Sequence, residues 1–147
     1  MHATDANARY KQELRGASLR ATSGRMAVLR ALESSPHATA ETVFALISGD
    51  LPGTSPQAVY MVLNDLTRAG LIRRFEPAGS AALYERRTGD NHHHLVCDSC
   101  GSVVDIEVDV SATDLGRTAA DHGFAIARTE IVLRGRCARC APGTDPD

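Results

Sequence analysis

Asn91-His92-His93-His94-Leu95-Val96-Cys97-Asp98-Ser99-Cys100-Gly101 holds two kinds of metal ligand side by side. Three histidines offer borderline nitrogen donors, and three residues after the last of them a Cys-x-x-Cys offers soft thiolates. A matching pair stands at Cys137-Ala138-Arg139-Cys140, and these four cysteines are all the chain has. Two such knuckles brought together by folding make a closed, four-coordinate zinc site. Two disulfides or a redox Cys-x-x-Cys are the competing readings, and a reducing compartment favours zinc over both. Four thiolates leave no open position, so the expected role of the zinc is structural.

The chain of 147 residues is 43% hydrophobic and 23% charged, which is ordinary for a globular protein. That length allows one domain or two small ones with a real core. No apolar run approaches the ~20 residues of a membrane span. Residues 1–9 lack the apolar stretch of a signal peptide, so the expected location is the cytoplasm, with no membrane partner. The net charge of −2 speaks weakly against nucleic acid, but its distribution speaks for it. Arg9, Lys11, Arg15, Arg20, Arg25 and Arg30 face one acid, Glu13, over residues 9–30, whereas 91–147 carry five Arg and nine acids. A basic first part and an acidic second part suggest two modules with different partners.

Residues 9–18 read as a short polar helix with Tyr10 and Leu14 on one side. Thr22 or Ser23 caps a helix to about Ser34, striped by Met26, Leu29 and Leu32. Thr39 starts another, with Val43, Leu46 and Ile47 apolar. The best specified helix has Ser55 as N-cap, Pro56 at its first position and Gly70 as its left-handed stop. Val59, Val62, Leu63 and Leu66 form one face; Gln57, Tyr60, Met61, Asn64 and Arg68 form the opposite one. Two β-like runs, 71–75 and 82–86, follow around the turn 76–80. Three helices and then a two-stranded ribbon is the order of a winged helix-turn-helix, with Arg73 and Arg74 on the wing. Residues 88–91 read as a hinge. In the second module, strands are expected at 94–97 and 103–106, a helix opened by Ser111 with Asp114 and closed by Gly123, and a last strand over 124–133. The tail, 141–147, is rich in Pro, Gly and Asp and reads as disordered.

The ordered set His92-x-His94-x-x-Cys97-x-x-Cys100-Gly101, Asp105 and Cys137-x-x-Cys140 resembles the ferric uptake regulator family of metal-sensing repressors. Gln57-Ala58-Val59-Tyr60 and Ala69-Gly70-Leu71-Ile72 match it as well, and the resemblance runs from about residue 12 to Cys140. It implies an α+β fold: an N-terminal winged helix-turn-helix over 1–88, a hinge at 89–91, a small α/β dimerisation and metal-binding domain over 92–140 that carries the four-cysteine zinc site, and a tail over 141–147. It further implies a homodimer that binds palindromic operator DNA when a regulatory Fe²⁺ is present, and no small-molecule substrate.

His37, Glu85, His92, His94 and Asp105 match the family's sensing ligands one by one. Three nitrogens and two carboxylates suit Fe²⁺, Mn²⁺, Co²⁺ or Ni²⁺ better than the thiolate site does. On a strand, His92 and His94 leave one face and His93 the other, which excludes His93 from the same metal. Gln57, Tyr60, Asn64 and Arg68 are the expected DNA-facing residues of the recognition helix, with Arg20, Arg73 and Arg74 as phosphate contacts. An ion bound by all five ligands ties the two modules at a fixed angle, so its binding is linked to DNA affinity. Asp105 is similar to the peroxide-responsive branch, in which a ligand histidine, here His37 or His92, is oxidised and the operator released. Glu85 departs from that branch, whose best-known members have Asp there. The zinc-sensing branch adds a cysteine, and none is left over.

The alternatives are a plain iron- or nickel-responsive repressor and, from another class, a zinc-ribbon adaptor that senses nothing. A metalloenzyme is disfavoured, because five protein ligands leave little room for substrate. His122, just before Gly123, reads as a helix C-terminal histidine. Asn91 and Thr129 stand where ligands of a third family site would be, so that site is expected to be incomplete.

Overall fold

Apolar residues three and four apart, punctuated by Ser, Thr, Pro and Gly, build the first half of the chain. The computed structural model describes residues 2–86, 92–110 and 113–141. The chain divides into two compact units, Met1–Thr88 and Gly89–Asp147. The expected hinge at 89–91, the tail beyond residue 141 and Ser111 lie outside the described residues.

Helix α1 (His2–Gly16) is longer than the 9–18 segment expected from sequence, and it buries Tyr10 and Leu14. Thr22 accepts a hydrogen bond from the Arg25 N–H at 3.3 Å ahead of α2 (Ser23–Ser34). Thr39 does the same for Thr42 at 3.1 Å ahead of α3 (Ala40–Ile47). Ser55 caps α4 (Pro56–Arg68) through the Ala58 N–H at 3.1 Å, and Gly70, at φ 74°, ends it where a side chain would be strained. Val28, Leu29, Leu32, Val43, Val59, Leu63 and Leu66 meet in one core. Leu46, apolar like its neighbours, is 48% exposed, because the stripe of α3 is centred on Ala40, Val43 and Ile47.

The wing is also more than the expected two-stranded ribbon. Strands β1 (Ala38–Thr39), β2 (Arg73–Phe75) and β3 (Leu83–Glu85) form an antiparallel sheet in the order β1-β3-β2. A two-residue strand has no periodicity to read, and only its pairing with β3 reveals it.

In the second unit β4 (His92–Cys97) and β5 (Val103–Glu107) make an antiparallel hairpin around the first knuckle. Helix α5 (Asp114–Asp121) follows Thr113 and is closed by Gly123 at φ 76°. It lies within the connection to β6 (Val132–Gly135), which pairs parallel to β4 and completes the order β5-β4-β6. The expected strand over 124–133 is thus cut to its end. Residues 94–97 of β4 pair with residues 132–135, and the His94 N–H reaches back to the Ile131 carbonyl at 3.1 Å. No helix among the described residues is long and apolar enough to cross a membrane.

Candidate metal centres and nucleic-acid face

Strand β4 delivers Cys97 at its end, and a turn through Gly101 (φ 73°) brings Cys100 back beside it. Strand β6 ends at Gly135 and feeds Cys137 to the same place, with Asp98 N–H bonded to Gly135 C=O at 2.8 Å and Arg134 paired to Asp98 at 2.6 Å. All four sulfurs lie within 4.8 Å of one another, and those of Cys100 and Cys137 are 3.8 Å apart. A tetrahedral ion with metal–sulfur bonds of about 2.3 Å sets its sulfurs roughly 3.8 Å apart, so these residues fit Zn²⁺.

The electrostatics agree. The Cys137 and Cys100 backbone N–H groups lower the Cys97 thiol to about 6, and the Cys137 N–H stands 3.3 Å from that sulfur. Cys140 is pushed up to about 12 by the neighbouring thiols of Cys137 and Cys100. Crowded sulfurs therefore resist full ionisation by themselves, and a bound divalent cation removes that conflict.

The five expected sensing ligands fall on both units, and each unit arranges its own. In the first, the β1–β3 register pairs Ala38 with Tyr84; continued by one residue, it sets His37 opposite Glu85. His37 Nε2 stands 3.1 Å from Glu85 Oε2, and Glu85 is only 2% exposed. His37 occupies the left-handed region at φ 63°, uncommon for a residue with a side chain. In the second, His94 Nε2 stands 3.5 Å from Asp105 Oδ1 across the β4–β5 pair, and the His92 and His94 rings are 5.0 Å apart. Both of these histidines are fully buried. His93 points the other way, and its Nδ1 accepts the Ile131 N–H at 3.1 Å. Carboxylates and imidazoles are seldom so buried without a charge partner or an ion.

On α4, Gln57, Tyr60, Met61, Asn64 and Arg68 are exposed, with Tyr60 at 53%. Arg25 holds this helix to α2 by a 3.0 Å ion pair with Asp65. Arg20 and Arg74 are exposed, although Arg74 shares a 2.9 Å ion pair with Glu76. Arg73 is placed differently: it stands opposite Glu85 in the β2–β3 register, and its Nε and Nη2 are buried. Two of the other N-terminal arginines are held within the protein, Arg9 by Glu33 at 2.6 Å and Arg30 by Asn7 at 2.7 Å. Local sequence carries no sign of these partners, since the residues involved lie more than 20 positions away.

A winged helical unit and a small sheet unit bearing a four-cysteine cluster narrow the fold, and comparison decides the family. The family model described as "Ferric uptake regulator family" matches residues 16–134. The chain belongs to that family. The transcriptional regulator FurA of Mycobacterium tuberculosis is 47% identical over 133 residues, covering 90% of each chain. The peroxide-responsive repressor PerR of Staphylococcus aureus is 30% identical over 129 residues, covering 86% of each. The crystal structure of the Vibrio cholerae ferric uptake regulator has a TM-score of 0.75 at 30% identity, covering 86% of this chain and 98% of that one. The chain is thus a metal-dependent transcriptional regulator, and members of the ferric uptake regulator family are regulators rather than enzymes. The family match stops short of Cys137 and Cys140, so their place in the zinc cluster rests on their own geometry.

Proposed function

We propose that the chain is a cytoplasmic homodimeric repressor that binds palindromic operator DNA when one regulatory divalent ion, Fe²⁺, is held jointly by His37 and Glu85 and by His92, His94 and Asp105. The observation that carries this reading is the His37–Glu85 pair, whose carboxylate is buried. Two ligands are too few for an ion that favours six, so this pair needs the nitrogens and carboxylate of the second unit to complete it. In this reading the first unit reads DNA, the second dimerises, and the residues between them act as hinge. Mn²⁺ or Ni²⁺ would fit the same donors.

Bound Fe²⁺ supplies one-electron chemistry toward peroxide, and His37 and His92 are the residues proposed to take up oxygen and let the operator go. Similarity to both FurA and PerR keeps a plain iron-responsive repressor as the second reading. The test is operator binding by zinc-loaded protein titrated anaerobically with Fe²⁺, Mn²⁺, Ni²⁺ and Zn²⁺. The Fe²⁺ form is then challenged with peroxide and its histidines examined by mass spectrometry. Release from the Fe²⁺ form but not the Mn²⁺ form, with added oxygen on His37 or His92, supports peroxide sensing. Release without that oxygen leaves the plain iron repressor. Operator binding indifferent to every ion removes sensing altogether and favours the adaptor.

The dimer is proposed to form through the sheet of the second unit. Leu95 lies in register with Val104 on one side and Leu133 on the other, and the three are 39%, 54% and 52% exposed. A continuous apolar row of this kind marks an interface, and a two-fold pairing buries it against its own copy. The double change Leu95→Asp, Leu133→Asp is expected to give monomers at micromolar concentration in sedimentation velocity, with zinc retained. Operator affinity should fall at least tenfold, because one reading head loses the help of the other.

The DNA face predicts a different signature. Arg68→Ala and Arg74→Ala should each flatten the slope of log affinity against log salt by about one. Arg73→Ala should leave that slope alone, since its Nε and Nη2 are buried rather than presented to solvent.

A further inference from the structure

The family match begins at residue 16, so helix α1 lies almost wholly ahead of it. Its inner face nevertheless meets the end of the strand that carries Glu85. Arg86, the next residue, donates from Nη2 to Glu13 Oε2 of α1 at 2.7 Å and lies 3.5 Å from Glu33 Oε1 of α2. Its Nη1 donates to the Leu71 carbonyl at 3.4 Å. The guanidinium carbon also lies 5.8 Å from the centre of the Tyr10 ring. Tyr10, itself 1% exposed, donates its hydroxyl to Glu33 at 2.5 Å, and Arg9 closes the set with bonds to both Glu33 oxygens at 2.6 and 2.8 Å.

Two carboxylates, two guanidiniums and a buried phenol therefore form one charge-balanced network. Such a network is stronger than an isolated surface pair, because its members share partners and Tyr10, Glu13 and Arg86 are at least part-buried. Alternation along β3 explains the arrangement. Glu85 faces one way toward His37, while Tyr84 and Arg86 face the helices. One peptide bond thus joins the metal half-site to a side chain that reaches Glu13, Glu33 and the Tyr10 ring together, the same three groups that Arg9 meets from α1.

We propose that Arg86 is a positioning residue that couples occupancy of the His37–Glu85 half-site to the N-terminal helix α1. This rests on Glu85 being a ligand, as argued above. An ion that pins Glu85 narrows the backbone freedom of the residue after it, which holds Arg86 in the one orientation where Glu13 and Glu33 both receive it. Without the ion the end of β3 is freer, Arg86 satisfies its partners less of the time, and α1 loosens from α2. Lys11 and Arg15 lie exposed on α1, so a looser helix also presents its basic face less steadily.

Amide hydrogen exchange on the full-length, zinc-loaded dimer, with Mn²⁺ as a redox-inert probe, tests this. Mn²⁺ is expected to slow exchange across residues 6–16 about tenfold in the natural chain. Arg86→Ala and Glu13→Gln should abolish that slowing at α1 while slowing near residues 37–39 and 83–85 persists. Arg86→Lys should restore part of it. A merely structural role would raise α1 exchange equally with and without Mn²⁺, and that result overturns the proposal. So does undiminished slowing at α1 in Arg86→Ala. Glu85→Gln separates the two claims: if it leaves Mn²⁺ affinity unchanged, the ligand assignment falls and the coupling with it. If it abolishes binding while α1 of the natural chain ignores the ion, only the coupling falls.

Discussion

A Cys137→Ser chain is expected to purify without zinc and with its second unit unfolded. The four sulfurs converge from the ends of β4 and β6 and from the turn that follows each strand, so the ion joins strands 35 or more residues apart in sequence. The rest of that unit offers little to replace it. Helix α5 buries no residue of its own, and Phe124 and Ile126 stand 72% and 50% exposed. Structural zinc in small modules contributes on the order of 10 kcal/mol, more than a whole small domain's net stability. Elemental analysis should show loss of one zinc per protomer. Circular dichroism should show loss of strand signal, and sedimentation a monomer. The first unit has its own core and should keep its helices. A folded, dimeric, zinc-free variant would show that the cluster is dispensable.

His37→Ala and Glu85→Gln should leave zinc content and dimerisation untouched while operator affinity under saturating Fe²⁺ falls toward that of the metal-free protein. Coupling between an effector and a ligand is typically about 1–3 kcal/mol, and a loss of roughly 100-fold lies within that range. The contrast is with His93→Ala. His93 holds the Ile131 N–H just ahead of β6 and faces away from His92 and His94, so its loss should lower thermal stability while Fe²⁺ still raises operator affinity. Fluorescence anisotropy with a labelled operator duplex, with and without Fe²⁺, measures both. Equal metal response in His37→Ala and the natural chain would dissolve the proposed bridge.

Much of this is legible in the sequence. Caps at Thr22, Thr39 and Ser55 and the stop at Gly70 place three helices, because a side-chain oxygen or a missing Cβ acts on the backbone within a few residues. The paired Cys-x-x-Cys spacing names the zinc chemistry. The opposed faces of His93 and its neighbours follow from strand alternation alone. Less is legible in the wing and in the last strand. Leu71 and Ile72 have the composition of a strand and lie outside it, and residues 124–131 have that composition and lie ahead of β6 rather than in it.

What the chain's order determined by itself was therefore local: where helices begin and end, which residues share a face, and which donor types stand two or three apart. What only the tertiary structure decided was meeting across distance. The two-residue strand β1 sets His37 opposite Glu85, Arg73 stands opposite Glu85 in the β2–β3 register, and Arg86 spans to Glu13 and Glu33. Those outcomes depend on register and packing between segments tens of residues apart. No spacing along the chain encodes them, because backbone pairing exists only once both strands are in place.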